Sequence, residues 1–380
     1  MYELIIKNGR ILDAQNGIDR VCDLAIEKGL MKGVGDFAGQ EAKRVIDATG
    51  CIVSPGLIDS HLHIRPFTQI GVPAETFCFT SGVTTLIEPG SLGPGNYDAQ
   101  RWYLNQVPLR IKPMLSVTSL GLLYSPGCEE NLNPEFFNQD KIEQLVNKYR
   151  DEIVSLKIRL DKGRSAKANC TNEPLSEALK LAERLGMRLC VHSTDPPTTM
   201  EDIWNNLRDG DIITHIFHNK GDTLLDQNGE VKKSAWEARA RGVLFDCSSG
   251  SIHHSFKTSR PALAEGFFPD TIGTDGSNIT AFVNPRVFNY LRVLSRFMAL
   301  GMTVEQVLAC ATANAARQLR LEDKIGCFTP GSFADVAVLK LLDKEIAYED
   351  ADGETIRGKQ ALKCVLTVID GEVQYRDDEI

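Results

Sequence analysis

The chain has only seven histidines, at positions 61, 63, 192, 215, 218, 253 and 254. His61 and His63 follow the run Gly56-Leu57-Ile58-Asp59-Ser60. On a strand, residues two apart share a face, so both imidazoles can reach one cation. His192 and His215 fall within or at the end of two further apolar runs, Arg188 to His192 and Asp211 to Phe217, and Asp275 closes a third, Thr271 to Asp275. Imidazoles with one carboxylate suit zinc, with manganese, iron and nickel also admissible. A carboxylate in such a set can coordinate a metal ion and also take a proton from water bound to it. Read alone, Asp275-Gly276 is equally a turn or a helix cap. Its company with the histidines favours the ligand reading.

Other polar residues are more ambiguous. Lys157 lies in Ser155-Leu156-Lys157-Ile158-Arg159-Leu160, whose apolar members face one way and leave Lys157 and Arg159 on the opposite face. An unpaired buried ammonium is costly, so Lys157 pairs with an acid, loses its proton, is chemically changed, or is a half-exposed strand lysine. His218, three past His215, is a candidate loop or substrate contact. His253 and His254 follow Ser248-Ser249-Gly250-Ser251, a loop that either shapes a pocket or leaves both rings in solvent. Arg65, two beyond His63, is placed to meet a substrate carboxylate with parallel hydrogen bonds, or to make a surface salt bridge.

These residues need elements to gather them. From about Pro55 to Leu321, short apolar runs alternate with amphipathic segments, the pattern of repeated βα units. Eight strands are expected: Leu57 to His63, Val83 to Glu88, Pro113 to Thr118, Val154 to Leu160, Arg188 to His192, Asp211 to Phe217, Val243 to Cys247 and Thr271 to Asp275. Pro174 to Leu185 reads as one of the intervening helices, stopped by Gly186. Eight such units predict an α/β fold, a (β/α)8 TIM barrel, whose reacting groups stand at the carboxyl ends of the strands. His61, His63, His192, His215 and Asp275 then converge. An open doubly wound sheet is the alternative, but no glycine-rich dinucleotide fingerprint follows the first strand. The two chain ends differ from this middle. Residues 1–53 and 323–380 carry short β runs with turn signals at Asn8-Gly9, Asn16-Gly17, Lys28-Gly29 and Asp370-Gly371, and are expected to meet as a small β-sandwich domain beside a barrel of residues 54–322.

Composition narrows the function classes. A chain of 380 residues with 42% hydrophobic and 24% charged residues is an ordinary globular protein. A net charge of −9 disfavours nucleic acid as partner. No apolar run reaches the roughly 18 to 20 residues of a membrane span, so no membrane partner is expected. Ten cysteines without a CxxC pair, behind an amino terminus lacking a secretory signal, point to reduced thiols and the cytoplasm. A small-molecule substrate and a homo-oligomeric state are expected.

Across nearly its whole length the sequence resembles the amidohydrolase superfamily of metal-dependent hydrolases. The resemblance is carried by Ile46-Asp47-Ala48-Thr49-Gly50, by Val53-Ser54-Pro55-Gly56-Leu57-Ile58-Asp59-Ser60-His61-Leu62-His63, by Gly82-Val83-Thr84-Thr85 and by Pro330-Gly331-Ser332-Phe333-Ala334-Asp335. Within it the pattern is similar to the dihydroorotase-like and deacetylase-like branch with two metals. That likeness implies one divalent ion, zinc first, on His61, His63 and Asp275, a second on His192 and His215, and a carboxylated Lys157 bridging both. It also implies hydrolysis of an amide or ester by a metal-bridging hydroxide, with Asp275 as general base, on a small substrate whose carboxylate is held by Arg65, Arg159 or His218. Gly82 to Ser91 and Lys157-Ile158-Arg159 look closest to the deacetylase and esterase subgroup. Purine deamination and cyclic-amide hydrolysis are the alternative activities, and a non-enzymatic interaction protein is disfavoured by the intact ligand set. His61-Leu62-His63-Ile64-Arg65 agrees with the opening motif of dihydroorotases, but Pro66-Phe67-Thr68 departs from its usual continuation.

Overall fold

The computed structural model describes residues 1–125, 127 and 129–380. Its first strands are β1 (Tyr2–Asp13), β2 (Ile18–Glu27), β3 (Leu30–Gly35), β4 (Ala42–Asp47) and β5 (Ile52–Pro55). The middle contributes β6 (Leu57–Asp59), β7 (Val83–Leu92), β8 (Arg110–Ser116), β9 (Ser155–Arg159), β10 (Leu189–His192), β11 (Ile212–Thr214), β12 (Leu244–Ser248) and β13 (Thr271–Gly273). The chain ends with β14 (Val336–Glu349), β15 (Thr355–Ile369) and β16 (Glu372–Arg376).

Strands β6 to β13 pair in sequence order, all parallel, one for each expected run. A parallel bridge between Leu62 and Gly276 and a 2.7 Å bond from the Asp275 amide to the His61 carbonyl join the last strand to the first. The sheet is therefore a TIM-like barrel. The intervening helices bury their apolar stripes outside it. Glu173–Arg184, for example, buries Leu175, Ala178, Leu181 and Ala182, and stops where Gly186 takes φ +60°. Two ladders are shorter than the sequence predicts: β6 ends before His61 and β11 before His215. The chain leaves the sheet there because the Asp59 carboxylate accepts from the His61 amide and His215 adopts φ +69°.

The two chain ends build a separate sheet in the order β16-β15-β14-β5-β1-β2-β3, with β4 alongside β1. Alternation explains how it sits on the barrel. Val336 and Val338 face the sheet's own core, whereas Ala337 and Leu339 pack into the barrel's outer core. Asp370-Gly371 forms the expected hairpin turn, both residues at positive φ between β15 and β16. Asn8-Gly9 does not turn the chain. It lies inside β1 at a shift of register between Ile6 and Gly9, where Asn8 takes φ +62° and a Cβ on Gly9 would meet Val53 Cγ2 at 2.3 Å. The same left-handed preference that marks a turn here serves a bulge. The described cysteines are all free and, except for Cys22 and Cys170, buried; Cys128 lies outside the described residues. Among the described residues no helix is long and apolar enough to cross a membrane.

Candidate metal centre

The carboxyl ends of the barrel strands open into a cavity of about 440 Å³. Its wall includes His61, His63, Lys157, Arg159, His192, His215 and Asp275, which are drawn from five places in the sequence. Two groups of ligand atoms form there, His61 with His63 and Asp275, and His192 with His215 and His253, each within a span of 4.8 Å.

In the first group, Asp275 Oδ1 lies 3.5 Å from His61 Nε2 and 3.4 Å from His63 Nε2. Those separations exceed a good hydrogen bond. They match the edge, roughly 3.3–3.4 Å, of a tetrahedron built on zinc bonds of about 2.0–2.1 Å. The His63 Nδ1 atom is 3.3 Å from Glu88 Oε1 and 3.0 Å from Ser91 Oγ, which fixes the ring with Nε2 toward the cavity. Although burial opposes its charged form, hydrogen bonds with Asp275 and Glu88 raise the His63 pKa to about 9. Burial would likewise raise Asp275, but His63 and the positive charge around it hold this carboxyl below its ordinary value.

In the second group the His192 and His215 ring centroids are 4.5 Å apart, and the His61 ring lies 5.0 Å from that of His215. The His215 Nδ1 atom is held 2.8 Å from the Ser248 carbonyl, which makes it the donor and frees Nε2 as a ligand atom. His253 stacks on His215 at 4.1 Å, its Nδ1 is 2.8 Å from Thr194 Oγ1, and its Nε2 is 3.5 Å from Asp275 Oδ2. Asp275 thus offers one oxygen to each group. Burial, then neighbouring positive charge, pushes the pKa values of His192 and His215 well down. Burial also lowers His253 to about 4, although Asp275 opposes the shift. Neutral imidazoles are the form that binds metal.

Lys157 is 2% exposed, and its Nζ contacts Cys190 Sγ at 3.4 Å. Among the described residues no carboxylate lies within 4.0 Å of that amine. Its stem is accommodated by Gly90 at φ +88°, where a Cβ would stand 2.7 Å from Lys157 Cγ. A buried cation on the wall that both imidazole groups share suits neither itself nor a metal. Converted to an anionic carbamate, the same side chain would suit both. The donor set and its spacing therefore fit two divalent ions.

Two site residues carry backbone strain, His215 at φ +69° and Asp275 at φ +48°. Both are braced from beneath. Asp59 accepts from the amides of His61 and Thr274 and from the Thr274 hydroxyl, while Asp246 accepts from Ser60 at 2.8 Å, Thr271 at 2.9 Å and also Thr214 and Ser248. Burial pushes the Asp59 carboxyl up to about 7 despite these bonds.

The remaining candidates are placed differently. Arg159 borders the cavity with Nη1 3.2 Å from Glu130 Oε2. Arg65 is exposed, donates from Nε to the Gly71 carbonyl at 3.1 Å and does not line the cavity. The backbone turns after Ile64, which carries its side chain off the rim. His218 is fully buried behind the wall, its Nδ1 accepting from the Lys220 amide at 3.3 Å. The chain has already turned at His215, so strand alternation no longer governs it. Neither His253 nor His254 is solvated: His254 is buried and stacks on Phe297 with ring centroids 5.3 Å apart. Sequence reasoning missed the part His253 plays, and also Glu88, Asp59 and Asp246. Their signal was a carboxylate inside or ending an otherwise apolar strand.

This constellation has known counterparts. The amidohydrolase family model matches residues 52–373. The chain belongs to the amidohydrolase family. As a family member it is a hydrolase. It is similar to a deacetylase of Agrobacterium fabrum, 29% identical over 329 residues covering 86% of this chain and 80% of that one. A deacetylase of Enterococcus faecalis is 25% identical over 376 residues, 98% of this chain and 99% of that one. Among solved structures, a dihydroorotase superposes with a TM-score of 0.90 at 26% identity, covering 99% of this chain and 98% of that one. An adenine deaminase structure reaches the same score at 23% identity over 99% and 100% of the two chains, a likeness of fold.

Proposed function

We propose that this amidohydrolase removes an acyl group from a small carboxylate-bearing substrate by cleaving its amide or ester bond, as a deacetylase-like enzyme with two zinc ions. One observation carries the reading: both ligand groups open into one cavity that Lys157 also lines, with Asp275 presenting an oxygen to each group. His61, His63 and Asp275 would hold one ion, His192 and His215 the other, and carboxylated Lys157 both, with His253 beside the second. Metal held there supplies Lewis acidity, which polarises a scissile carbonyl and brings the pKa of water toward neutrality.

The chain's own residues do the rest. Asp275, confined among three imidazoles, accepts the proton of the attacking water and passes it to the departing nitrogen or oxygen. Glu88 and the Ser248 carbonyl hold the His63 and His215 rings in the required orientation. Arg159 uses one guanidinium nitrogen on Glu130 and turns the remaining donors to a substrate carboxylate. Ile70, Leu122, Ile252 and Ile279 give the cavity an apolar side for the acyl group. We further place the domain boundaries at 1–53 with 323–380 for the small domain and 54–322 for the barrel.

The test is a hydrolysis screen of the zinc-loaded protein on N-acetyl amino acids and acylated 2-hydroxy acids, with adenine and dihydroorotate alongside. Carboxylate release from an acylated substrate, lost in Asp275→Asn, is expected. Ammonia release from adenine without any acyl hydrolysis would contradict the proposal.

A further inference from the structure

A cavity of about 660 Å³ lies at the opposite end of the barrel from the metal centre. It opens beneath the amino-terminal ends of β8, β9 and β10, beside the helix Ala313–Leu319 whose Ala315, Ala316 and Leu319 plug the barrel floor. For a protein of net charge −9 its wall is unusually basic: Arg110, Lys112, Arg150, Arg188, Arg320 and Lys324 line it, against one acidic lining residue among those described, Asp151. Arg110 pairs with Asp335 and Asp370, but among the described residues none of the other five cations has a carboxylate within 4.0 Å.

Helix carbonyl ends account for part of this charge. Arg150 donates to the Leu185 carbonyl at 2.8 Å, and Arg188 donates to that of Gln318. Much is left over. The Nε atom of Arg188 is buried without a partner, Lys112 reaches only the Asp151 carbonyl at 3.4 Å, and Arg320 and Lys324 are exposed at the mouth. Of the acids near Arg188, Asp211 is engaged by Arg208 at 2.9 Å, and Asp209 and Glu322 make no contact with it within 4.0 Å among the described residues. Burial, then the neighbouring Arg320, lowers the Arg188 pKa, and burial, then Arg110, lowers that of Lys112. The cavity therefore concentrates positive charge against its own cost, as a site awaiting an anion does. Its remaining wall is apolar, from Ile153, Val154, Leu319, Leu321 and Phe333, so an inorganic ion alone leaves most of it empty.

We infer that this cavity binds a small phosphorylated molecule of nucleoside-diphosphate type, with the phosphate chain on the basic residues and the flat body against the apolar wall. The volume suits a ligand of that size. The ligand would touch both parts of the molecule, because Phe333 and the Arg110 pair with Asp335 and Asp370 belong to the junction with the terminal sheet.

Calorimetric titration of the metal-loaded protein with ADP and, separately, inorganic pyrophosphate tests this. ADP is expected to saturate one site, to bind about threefold or more tighter than pyrophosphate, and to weaken about tenfold in the double variant Arg320→Gln, Lys324→Gln. Both side chains are exposed, so that variant keeps its fold. Binding is expected to persist in Asp275→Asn, which separates this cavity from the metal centre, and in Lys233→Gln, a surface control on another helix. The inference is overturned if ADP does not saturate, if the double variant binds it unchanged, if Asp275→Asn abolishes binding, or if pyrophosphate binds as tightly as ADP.

Discussion

The two halves of the metal centre are built differently. His61 and His63 come from one strand end and share a carboxylate, Asp275, with a second carboxylate, Glu88, behind His63. His192 and His215 stand at two strand ends and His253 in the loop after a third, and it is the Ser248 carbonyl and the Thr194 hydroxyl that brace His215 and His253 from behind. The first half brings negative charge of its own to a divalent ion. The second is three imidazoles, and among the described residues the carboxylate set against them is Asp275, which it shares with the first half. The difference teaches that the second half would need a carboxylated Lys157, together with Asp275, to become a binding site for a doubly charged ion.

The sharpest ways to break this contrast act on the shared residues. Asp275→Asn is expected to lower kcat about 10²- to 10⁴-fold while the melting temperature of the chelated protein changes little; steady-state kinetics with a thermal melt checks both. Lys157→Met leaves an apolar stem beside Gly90 and is expected to reduce bound metal from two equivalents to one, retained on the first half, with activity down about 100-fold or more. Elemental analysis reads the stoichiometry, and retention of both ions would undo the contrast. Glu88→Gln weakens only the first half, by about 10- to 100-fold in metal affinity, measured by competition with a chelator. The smallest effect belongs to Arg159→Met, expected to raise KM about tenfold for a carboxylate substrate with kcat nearly unchanged.

The same contrast separates what was legible in the sequence from what was not. The eight barrel strands and the pair His61 and His63 could be read because apolar runs and two-residue spacing are local patterns. His192, His215 and Asp275 followed once a barrel was assumed, since its geometry brings strand ends together. His253 did not follow. Its place depends on a turn at Gly250, where a Cβ would meet Asp275 Oδ2 at 2.4 Å, and no periodicity reports such an approach. Strand alternation placed Arg65 at the rim, but β6 stops before His61; His218, read as a loop or substrate contact, lies buried behind the cavity wall. The Asn8-Gly9 bulge shows the same limit, because a left-handed residue marks a bulge as readily as a turn. The resemblance to metal-dependent hydrolases supplied the carbamate reading of Lys157. The structure supplies a physical motive for it, a buried amine with no carboxylate within 4.0 Å among the described residues.

The most direct test of two ion sites in one cavity is metal analysis of the wild-type protein beside a His192→Ala, His215→Ala double variant, each purified with zinc and dialysed. Two equivalents falling to one, with loss of hydrolysis, is the expected result. Unchanged metal content in the variant, or full activity of a chelated, metal-free wild type, would contradict it.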